Sequence, residues 1–247
     1  MSHGRELFVA GSADDLAREA ASRLVELATQ ALRERARFTV ALSGGSTPRR
    51  LYQLLTQPPY RQALDWSRVH LFLADERFVP PADAESTARL VRETLLAGLP
   101  IAAEQFHAMP TEGESPETCA TAYAEELARF FRPDPIVLDL ALLGMGPDGH
   151  TASLFPGRPE PAGAVSVVRD SPKPPPTRLT LTAATLNRSR AVWFLVTGTD
   201  KAATLRTVFE TPPGAPAALP AARIRAAEGG SLWLTDREAA AQLPAGS

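Results

Sequence analysis

The chain has 247 residues, of which 44% are hydrophobic and 22% are charged, and its formal net charge is −2 at pH 7. This composition is typical of a folded globular protein, and the scattered basic residues argue against a nucleic-acid partner, which requires a clustered positive surface. No apolar run has the length of a membrane span or of a signal-peptide core, so no membrane partner is expected. A single cysteine, Cys119, excludes an internal disulfide and a thiolate zinc cluster and favours a cytoplasmic location.

Short apolar runs alternate with longer amphipathic segments, which is typical of a parallel sheet with crossover helices. The first predicted elements are a helix over 14–35 capped by Ser12, a strand over 38–42, and a helix with Thr47 as its N-cap and Pro48 at its first position. They are followed by a strand over 69–74, a helix closed by Gly98, a short strand near 106–109, a helix capped by Ser115 and begun by Pro116, and a strand over 136–143. The last strand is apolar almost throughout, so it is expected at the centre of the sheet.

The region 156–176 is rich in proline and glycine, with one short strand at "AVSVV". We expect a loop over the site rather than a domain linker, because patterns of the same kind resume after it. These are strands at "RLTLT" and "AVWFLVTG", a helix at "KAATLRTVF", a strand at "SLWLT" and a short C-terminal helix. The sequence therefore predicts one α/β domain over residues 1–247, with a Rossmann-like, mostly parallel sheet and helices on both faces.

Four loops that follow predicted strands should meet at the carboxyl edge of this sheet, where ligands bind in such folds: "SGGSTP", "DERF", "GMGPDGH" and "TGTDK". In the first, two glycines expose backbone N–H groups at a helix start beside several hydroxyls, which favours an anion site. The alternative is a tight turn with an ordinary N-cap. The loop is neither a dinucleotide-binding fingerprint, since it lacks G-x-G-x-x-G, nor a Walker loop, since no Gly-Lys-Ser/Thr follows. The candidate residues are Ser43, Gly44, Gly45, Ser46 and Thr47.

The second and third loops supply the catalytic candidates. Asp75 and Arg77 follow a strand and should point toward the same cleft, although three successive charges often form only a solvated turn. His150 can take a proton from water, and Asp148, two residues earlier, can orient the imidazole or contact the substrate. The N–H groups of this glycine-rich turn can support an oxyanion. The alternative is a loop histidine with purely structural hydrogen bonds.

Two further cations are candidates for anion binding. Arg178 follows the stiff segment "KPPPT" and can make a two-pronged contact to phosphate. Lys201 stands at a helix start, where the helix dipole disfavours a cation, so that a bound anion there would relieve a conflict. Lys173, the only other lysine, lies in the proline-rich loop and is expected to be simply solvated.

Five stretches, "LSGGSTPRRLYQLL", "LADERFVP", "LLGMGPDGHTASLFPG", "PPPTRLTLT" and "VTGTDKA", resemble the 6-phosphogluconolactonase family in their order and spacing, over roughly Leu7 to Leu234. The resemblance implies the α/β fold shared with glucosamine-6-phosphate deaminase and ribose-5-phosphate isomerase. It also implies hydrolysis of 6-phosphoglucono-1,5-lactone to 6-phosphogluconate, the second step of the oxidative pentose phosphate pathway. The partner is then a small sugar-phosphate lactone; the oligomeric state stays open, and a monomer is compatible with the sequence.

The resemblance also assigns roles to the candidates. Asp75 and Arg77 would face the sugar, and His150 would activate water with Asp148 nearby. The phosphate would be held by Gly44, Gly45, Ser46, Thr47, Arg178 and Lys201. No cofactor or metal is expected, because a lactone is already an activated ester. Whether Arg77 or backbone N–H groups hold the oxyanion is left open by the sequence.

Two rival functions share this fold. In the deaminase, the "GxGxDGH" run is typically followed by "IAFNEP", whose glutamate assists in opening the sugar ring, whereas here no acid follows His150 until Glu160. A sugar-phosphate-binding regulator usually carries a helix-turn-helix, for which there is no room before the first strand. One departure from the lactonase pattern is the absence of an asparagine near Thr87.

Overall fold

The computed structural model describes residues 4–212, 215, 218–227 and 229–244. Its strands are β1 (Arg5–Ala10), β2 (Phe38–Leu42), β3 (Val69–Leu73), β4 (Asp75–Arg77), β5 (Phe106–His107), β6 (Leu140–Gly144), β7 (Val165–Val168), β8 (Arg178–Leu181), β9 (Ala191–Val196) and β10 (Ser231–Asp236). Seven of them form a parallel sheet in the order β1-β10-β9-β6-β2-β3-β5. The other three form a small antiparallel sheet in the order β4-β8-β7.

The helices are α1 (Ala13–Arg35), α2 (Ser46–Leu55), α3 (Thr87–Val91), α4 (Pro116–Phe131), α5 (Ala183–Leu186), α6 (Ala202–Glu210) and α7 (Pro220–Arg223). The alanine and leucine stripe of α1 is buried against β1, β2, β10 and α2. On α4, the hydroxyl of Tyr123 donates to the carbonyl of His107 and accepts from the N–H of Leu73, which fixes this helix on β3 and β5. None of the helices in the described ranges has the length and apolar character needed to cross a membrane.

The predicted fold class is confirmed, as are Ser12 as the cap of α1 and Ser115 with Pro116 at the start of α4. Two strands were missed: β1, and β4, which occupies the charged "DER" stretch. The predicted C-terminal helix is wrong, because residues 237–242 form turns.

The predicted strand over 136–143 is central but shorter than expected, because β6 begins only at Leu140. The buried carboxylate of Asp139 accepts from the N–H and the hydroxyl of Thr39 on β2. The N–H of Asp139 also donates to the carbonyl of Thr39 at 3.0 Å, and the paired register of β6 with β2 begins with Leu140 opposite Val40.

Away from the carboxyl edge, two histidines form a partly buried relay between β3, β5 and α4. Nδ1 of His70 lies 3.2 Å from Nε2 of His107, whose Nδ1 lies 2.7 Å from the carboxylate of Glu126. An ionised Glu126 accepts from His107, which then accepts from His70. Burial lowers the pKa of His70 to about 4, and the charges of His107 and Arg37 act in the same direction.

This shift makes the folded protein sensitive to mild acid. Between pH 6.5 and about 4, His70 is protonated in the unfolded chain but not in the folded chain. His70 therefore does not reduce the free energy of unfolding above pH 6.5, and it reduces this free energy progressively as the pH is lowered through this window. The free energy of unfolding should fall between pH 7 and pH 5, and we expect His70→Gln to make this fall smaller by about 1 kcal/mol, a value reduced because the ring is partly exposed. Urea unfolding at each pH measures this; parallel pH profiles of the two proteins would contradict it.

Candidate active site

A cavity of about 190 Å³ opens at the carboxyl edge of the large sheet, where it meets the small sheet. Most of the predicted site residues line it: Ser43, Gly44, Asp75, Arg77, His150, Arg178 and Lys201. Gly45, Ser46, Thr47 and Asp148 lie beside the cavity without lining it. The four predicted loops therefore converge, as the rule for the carboxyl ends of parallel strands requires.

The "SGGSTP" turn approaches the cavity with its backbone rather than with capping side chains. Helix α2 begins at Ser46, and its N-cap is Gly45, with φ of 118° and no side-chain cap; the prediction of Thr47 as N-cap is therefore wrong. The Thr47 hydroxyl instead pairs at 2.7 Å with that of Thr197, which ties this turn to the loop after β9. The first-turn N–H groups of α2 have no partner within the helix and remain suited to an anion.

Gly44 is required by close packing. A Cβ at this position would lie 2.8 Å from Oγ1 of Thr87, the first residue of α3. The hydroxyls of Thr87 and of Ser43 are both buried, and neither has a hydrogen-bond partner among the residues that the structure describes. Helix α3 thus reaches the edge of the site through Thr87, at the position where the sequence departs from the lactonase pattern.

On strand β4, the three successive charged side chains point to two different sides. Alternation along the strand turns Asp75 and Arg77 toward the cavity and Glu76 away from it. Oδ2 of Asp75 accepts from Oγ of Ser153 at 2.7 Å, and Nη1 of Arg77 donates to the carbonyl of Glu85 at 2.7 Å. Each side chain is therefore held by one fixed contact and keeps further polar atoms for a ligand.

Glu76 is completely buried, which three charges in a row did not predict. Its carboxylate accepts from the N–H groups of Arg77, Thr87 and Ala88 and from the hydroxyl of Ser86. Burial raises the pKa of this carboxyl, and the four hydrogen bonds act against the rise. Glu76 joins β4 to the start of α3 and so fixes the segment that carries Arg77.

Four cations and one carboxylate line the cavity: Arg77, Lys173, Arg178, Lys201 and Asp75. Arg77 and Arg178 stand directly opposite each other on β4 and β8, an arrangement that destabilises antiparallel strands unless an anion lies nearby. Burial lowers the pKa of Arg178, and Asp75 opposes this. The electrostatics therefore favour a ligand with more than one negative charge.

The catalytic candidate His150 is held in a defined orientation. Its Nδ1 lies 2.5 Å from Oδ1 of Asp148, and its ring centroid lies 4.8 Å from that of Phe155. Burial acts to raise the pKa of Asp148, but the hydrogen bond and charge of His150 outweigh it and leave this pKa below its usual value. An ionised Asp148 accepts the proton on Nδ1, which leaves the lone pair on Nε2.

The glycines of this loop leave room for the His150 ring and form the hydrogen bonds that close the loop. A side chain at Gly146 would overlap the His150 ring. The N–H of Gly146 donates to the carbonyl of His150 at 2.9 Å, and the N–H of Gly149 donates to the carbonyl of Gly146 at 2.9 Å. Because these amides are already bonded within the loop, the expected oxyanion contact from the glycine N–H groups is not available in this conformation.

Lys173 was expected to be simply solvated, but it lines the cavity although it is exposed. Nothing in the sequence indicated this position, because a proline-rich composition predicts an exposed loop but not the direction of each side chain. Arg178 holds this loop by donating from Nε to the carbonyl of Pro175 and from Nη2 to the carbonyl of Lys173, each at 3.0 Å. In the described part of the chain, no group of three or more His, Cys, Asp or Glu side chains is arranged to hold a metal ion.

An α/β fold with a basic cavity at the carboxyl edge of its sheet, and a histidine oriented by a carboxylate within it, defines a protein that acts on small phosphorylated or otherwise anionic molecules. The family profile described as glucosamine-6-phosphate isomerases/6-phosphogluconolactonase matches residues 11–233. The chain belongs to this family.

Relatives across bacteria and protozoa support this assignment. The chain is 38% identical to the 6-phosphogluconolactonase of Streptomyces coelicolor, over 99% of this chain and 97% of the relative, and 41% identical to that of Mycobacterium leprae, over 91% and 93%. The structure of 6-phosphogluconolactonase from Trypanosoma cruzi superposes with a TM-score of 0.86 at 30% identity, over 99% of both chains. The prediction of an enzyme resembling these lactonases is confirmed.

A monomeric glucosamine-6-phosphate deaminase superposes with a TM-score of 0.80, over 96% of this chain and 99% of the deaminase, at 19% identity. At that identity the likeness shows a shared fold alone.

Proposed function

We propose that the protein hydrolyses 6-phospho-D-glucono-1,5-lactone to 6-phospho-D-gluconate, the second step of the oxidative pentose phosphate pathway. The observation that carries this proposal is the presence, in one cavity, of four cations and a histidine whose Nδ1 is occupied by Asp148. The cations fit a phosphorylated substrate, and the oriented imidazole fits a hydrolytic base. The names of the relatives agree with this reaction.

In the proposed mechanism, Nε2 of His150 takes a proton from water as the water oxygen bonds to the lactone carbonyl carbon. A tetrahedral oxyanion forms, then the bond from this carbon to the ring oxygen breaks, and the proton on Nε2 passes to the departing oxygen. Asp148 stays ionised and stabilises the imidazolium between these steps. A positioned base of this kind contributes about 10²- to 10⁴-fold in rate.

Arg77 is the better candidate for the oxyanion contact, because the amides of Gly146 and Gly149 are bonded within their own loop. The guanidinium of Arg77 lines the cavity and commits only Nη1 to Glu85. The free oxygen of Asp75 is suited to accept from a sugar hydroxyl, since Ser153 occupies only Oδ2. Binding the remote phosphate would hold the carbonyl beside the water.

The deaminase reaction is the rival to exclude. Glu160, the first acid after His150, pairs with Arg223 and lines a separate surface pocket, so it offers no second carboxylate to the cavity. Freshly prepared 6-phosphogluconolactone and glucosamine 6-phosphate should be given to the same enzyme preparation. We expect lactone hydrolysis well above the spontaneous rate and no ammonia release. Ammonia without hydrolysis would favour the deaminase, and tight binding without turnover of either substrate would favour a sugar-phosphate-binding regulator.

We further propose that residues 1–247 form one domain, since a single buried cluster extends across the large sheet, the small sheet and the helices. The cytoplasm is the proposed location, because a chain with one buried cysteine gains nothing from an oxidising compartment. Rice relatives are described as chloroplastic, so targeting differs within the family.

A further inference from the structure

A second pocket lies next to the catalytic cavity and is similar to it in size. Its volume is about 220 Å³, compared with about 190 Å³ for the cavity, and it is lined by residues of the segment 153–161, by strand β7 and by Arg223. His150 and Ala152 line the cavity, whereas Ser153 and the two residues after it line the second pocket. This short segment of the chain is therefore a wall that the cavity and the second pocket share.

Two side chains of the shared wall also hold candidate catalytic groups. Oγ of Ser153 donates to Oδ2 of Asp75 at 2.7 Å, and the ring centroid of Phe155 lies 4.8 Å from that of His150. Both Ser153 and Phe155 are buried, although each lines the second pocket. A molecule bound in the second pocket would therefore touch the side chains that fix Asp75 and His150.

Three arginines line the second pocket, and their charges are only partly neutralised. Arg223 pairs at 2.6 Å with Glu160, the one carboxylate among the described residues that line this pocket. Arg169 pairs at 2.7 Å with Glu117, which does not line it. Arg158 donates to a main-chain carbonyl at 2.6 Å and has no carboxylate within ion-pair distance in the described ranges. The second pocket therefore presents an excess of positive charge.

Arg223 also keeps a donor without an acceptor. Its contact to Glu160 is made through Nη1, whereas its Nε is buried and has no hydrogen-bond partner among the residues that the structure describes. A buried donor that lacks a partner is costly and rare in folded proteins. An anion beside the guanidinium would supply the acceptor, because an arginine matches carboxylate and phosphate groups through two neighbouring nitrogens.

The remaining residues of the second pocket are mostly apolar and include Leu154, Phe155, Pro159, Pro161 and Val167. A site that combines fixed cations with hydrocarbon surface suits a ligand that carries an anionic group on an apolar body. A volume of about 220 Å³ lies below the range typical of drug-sized ligands, so the ligand is small.

We propose that the second pocket is a binding site for a small organic anion, whose carboxylate or phosphate group contacts Arg223 and whose apolar part packs on Phe155 and Val167. Arg158 and Arg169 add to the attraction. The site is separate from the catalytic cavity, and it does not depend on the proposed function, because none of the steps of that reaction uses it.

The probe is benzoate, which combines one carboxylate with one ring; acetate lacks the ring, and benzamide lacks the charge. Each is titrated into ¹⁵N-labelled protein, and the shifts of assigned backbone amide signals give both the Kd and the location. Arg223→Met removes the proposed anchor, and Ser166→Glu adds a negative charge to the lining of the second pocket. Arg206→Met is the matched control, because it removes an arginine from an exposed pair with Glu210 that lines neither the cavity nor the second pocket. Circular dichroism checks that the variants fold.

We expect benzoate to shift the amide signals of 153–155 and 166–169 in a saturable manner, and to bind at least about fivefold more tightly than acetate or benzamide. Arg223→Met and Ser166→Glu should each weaken benzoate by about fivefold or more, since one removes a charge-assisted contact and the other adds repulsion. Arg206→Met should change the affinity by no more than about twofold. If Arg223→Met does not fold, Ser166→Glu decides the outcome.

Signal changes confined to 43–44 and 75–77 would place benzoate in the catalytic cavity and overturn the proposal. The absence of saturable shifts in the two segments of the second pocket, or unchanged affinity in either folded pocket variant, overturns it as well. Benzamide binding as tightly as benzoate would mean that the arginines do not attract the ligand. Acetate binding as tightly would mean that the apolar surface does not contact it, and each of these results also rejects the proposal.

Discussion

Replacing His150 with alanine is expected to lower kcat for lactone hydrolysis by about 10²- to 10⁴-fold while KM changes little. The reason lies in the geometry of the pair: Nδ1 is engaged by Asp148 at 2.5 Å, so Nε2 is the ring nitrogen left to accept a proton, and His150 lines the cavity. In the proposed mode of binding, the substrate phosphate contacts the cavity cations, so ground-state binding should not depend on the imidazole. Initial rates with fresh lactone, corrected for spontaneous hydrolysis, measure the effect.

Asp148→Asn should lower kcat by a smaller factor than His150→Ala. An asparagine oxygen can still accept from Nδ1, but it supplies no charge to stabilise the imidazolium, so kcat should fall by less than in His150→Ala. His107→Gln is the matched control, since His107 lies on β5 in the histidine relay and does not line the cavity. Retention of more than a tenth of kcat by His150→Ala, or an equal loss in His107→Gln, would remove His150 from the role of base.

The position of this histidine was predictable because the rule involved is topological. Each candidate loop follows a strand, and parallel strands present their carboxyl ends at one edge, so His150, Asp75 and Ser43 could be brought together without side-chain detail. The direction of a side chain within a loop was not predictable in this way. The Thr47 hydroxyl pairs with that of Thr197 instead of capping its helix, and the exposed side chain of Lys173 lines the cavity.

Glu76 shows a different limit of sequence reasoning. Its neighbours Asp75 and Arg77 carried a recognisable pattern, and the alternation of a strand would have turned Glu76 away from them had β4 been predicted. Three residues are too few for the alternation of a strand to be recognised in the sequence. The groups that donate hydrogen bonds to this carboxylate belong to Arg77 and, ten to twelve residues after Glu76, to Ser86, Thr87 and Ala88. A buried charge whose partners are mostly backbone N–H groups leaves no complementary residue in the sequence.

Because of those contacts, Glu76→Gln is expected to be the most destabilising isosteric change near the site. Oε1 accepts from two N–H groups at 2.7 Å, and Oε2 accepts from the N–H of Ala88 at 2.7 Å and the hydroxyl of Ser86 at 3.0 Å. The amide nitrogen of glutamine cannot accept, so at least one buried backbone N–H loses its partner, and the remaining bonds lose their charge. Together these effects cost about 2–4 kcal/mol, or roughly 5–15 °C in Tm for a chain of this size.

Thermal unfolding followed by circular dichroism tests this expectation, with Glu93→Gln as the control. Glu93 forms an exposed i,i+4 pair with Arg89 one turn further along, so its loss should change stability by less than about 0.5 kcal/mol. Since Glu76 fixes the start of α3 and the backbone of Arg77, folded Glu76→Gln should also show a lower kcat well below its melting temperature. Equal Tm values for the two variants would mean that the segment 77–88 is held by its apolar packing, and that the carboxylate is dispensable for the geometry of the site.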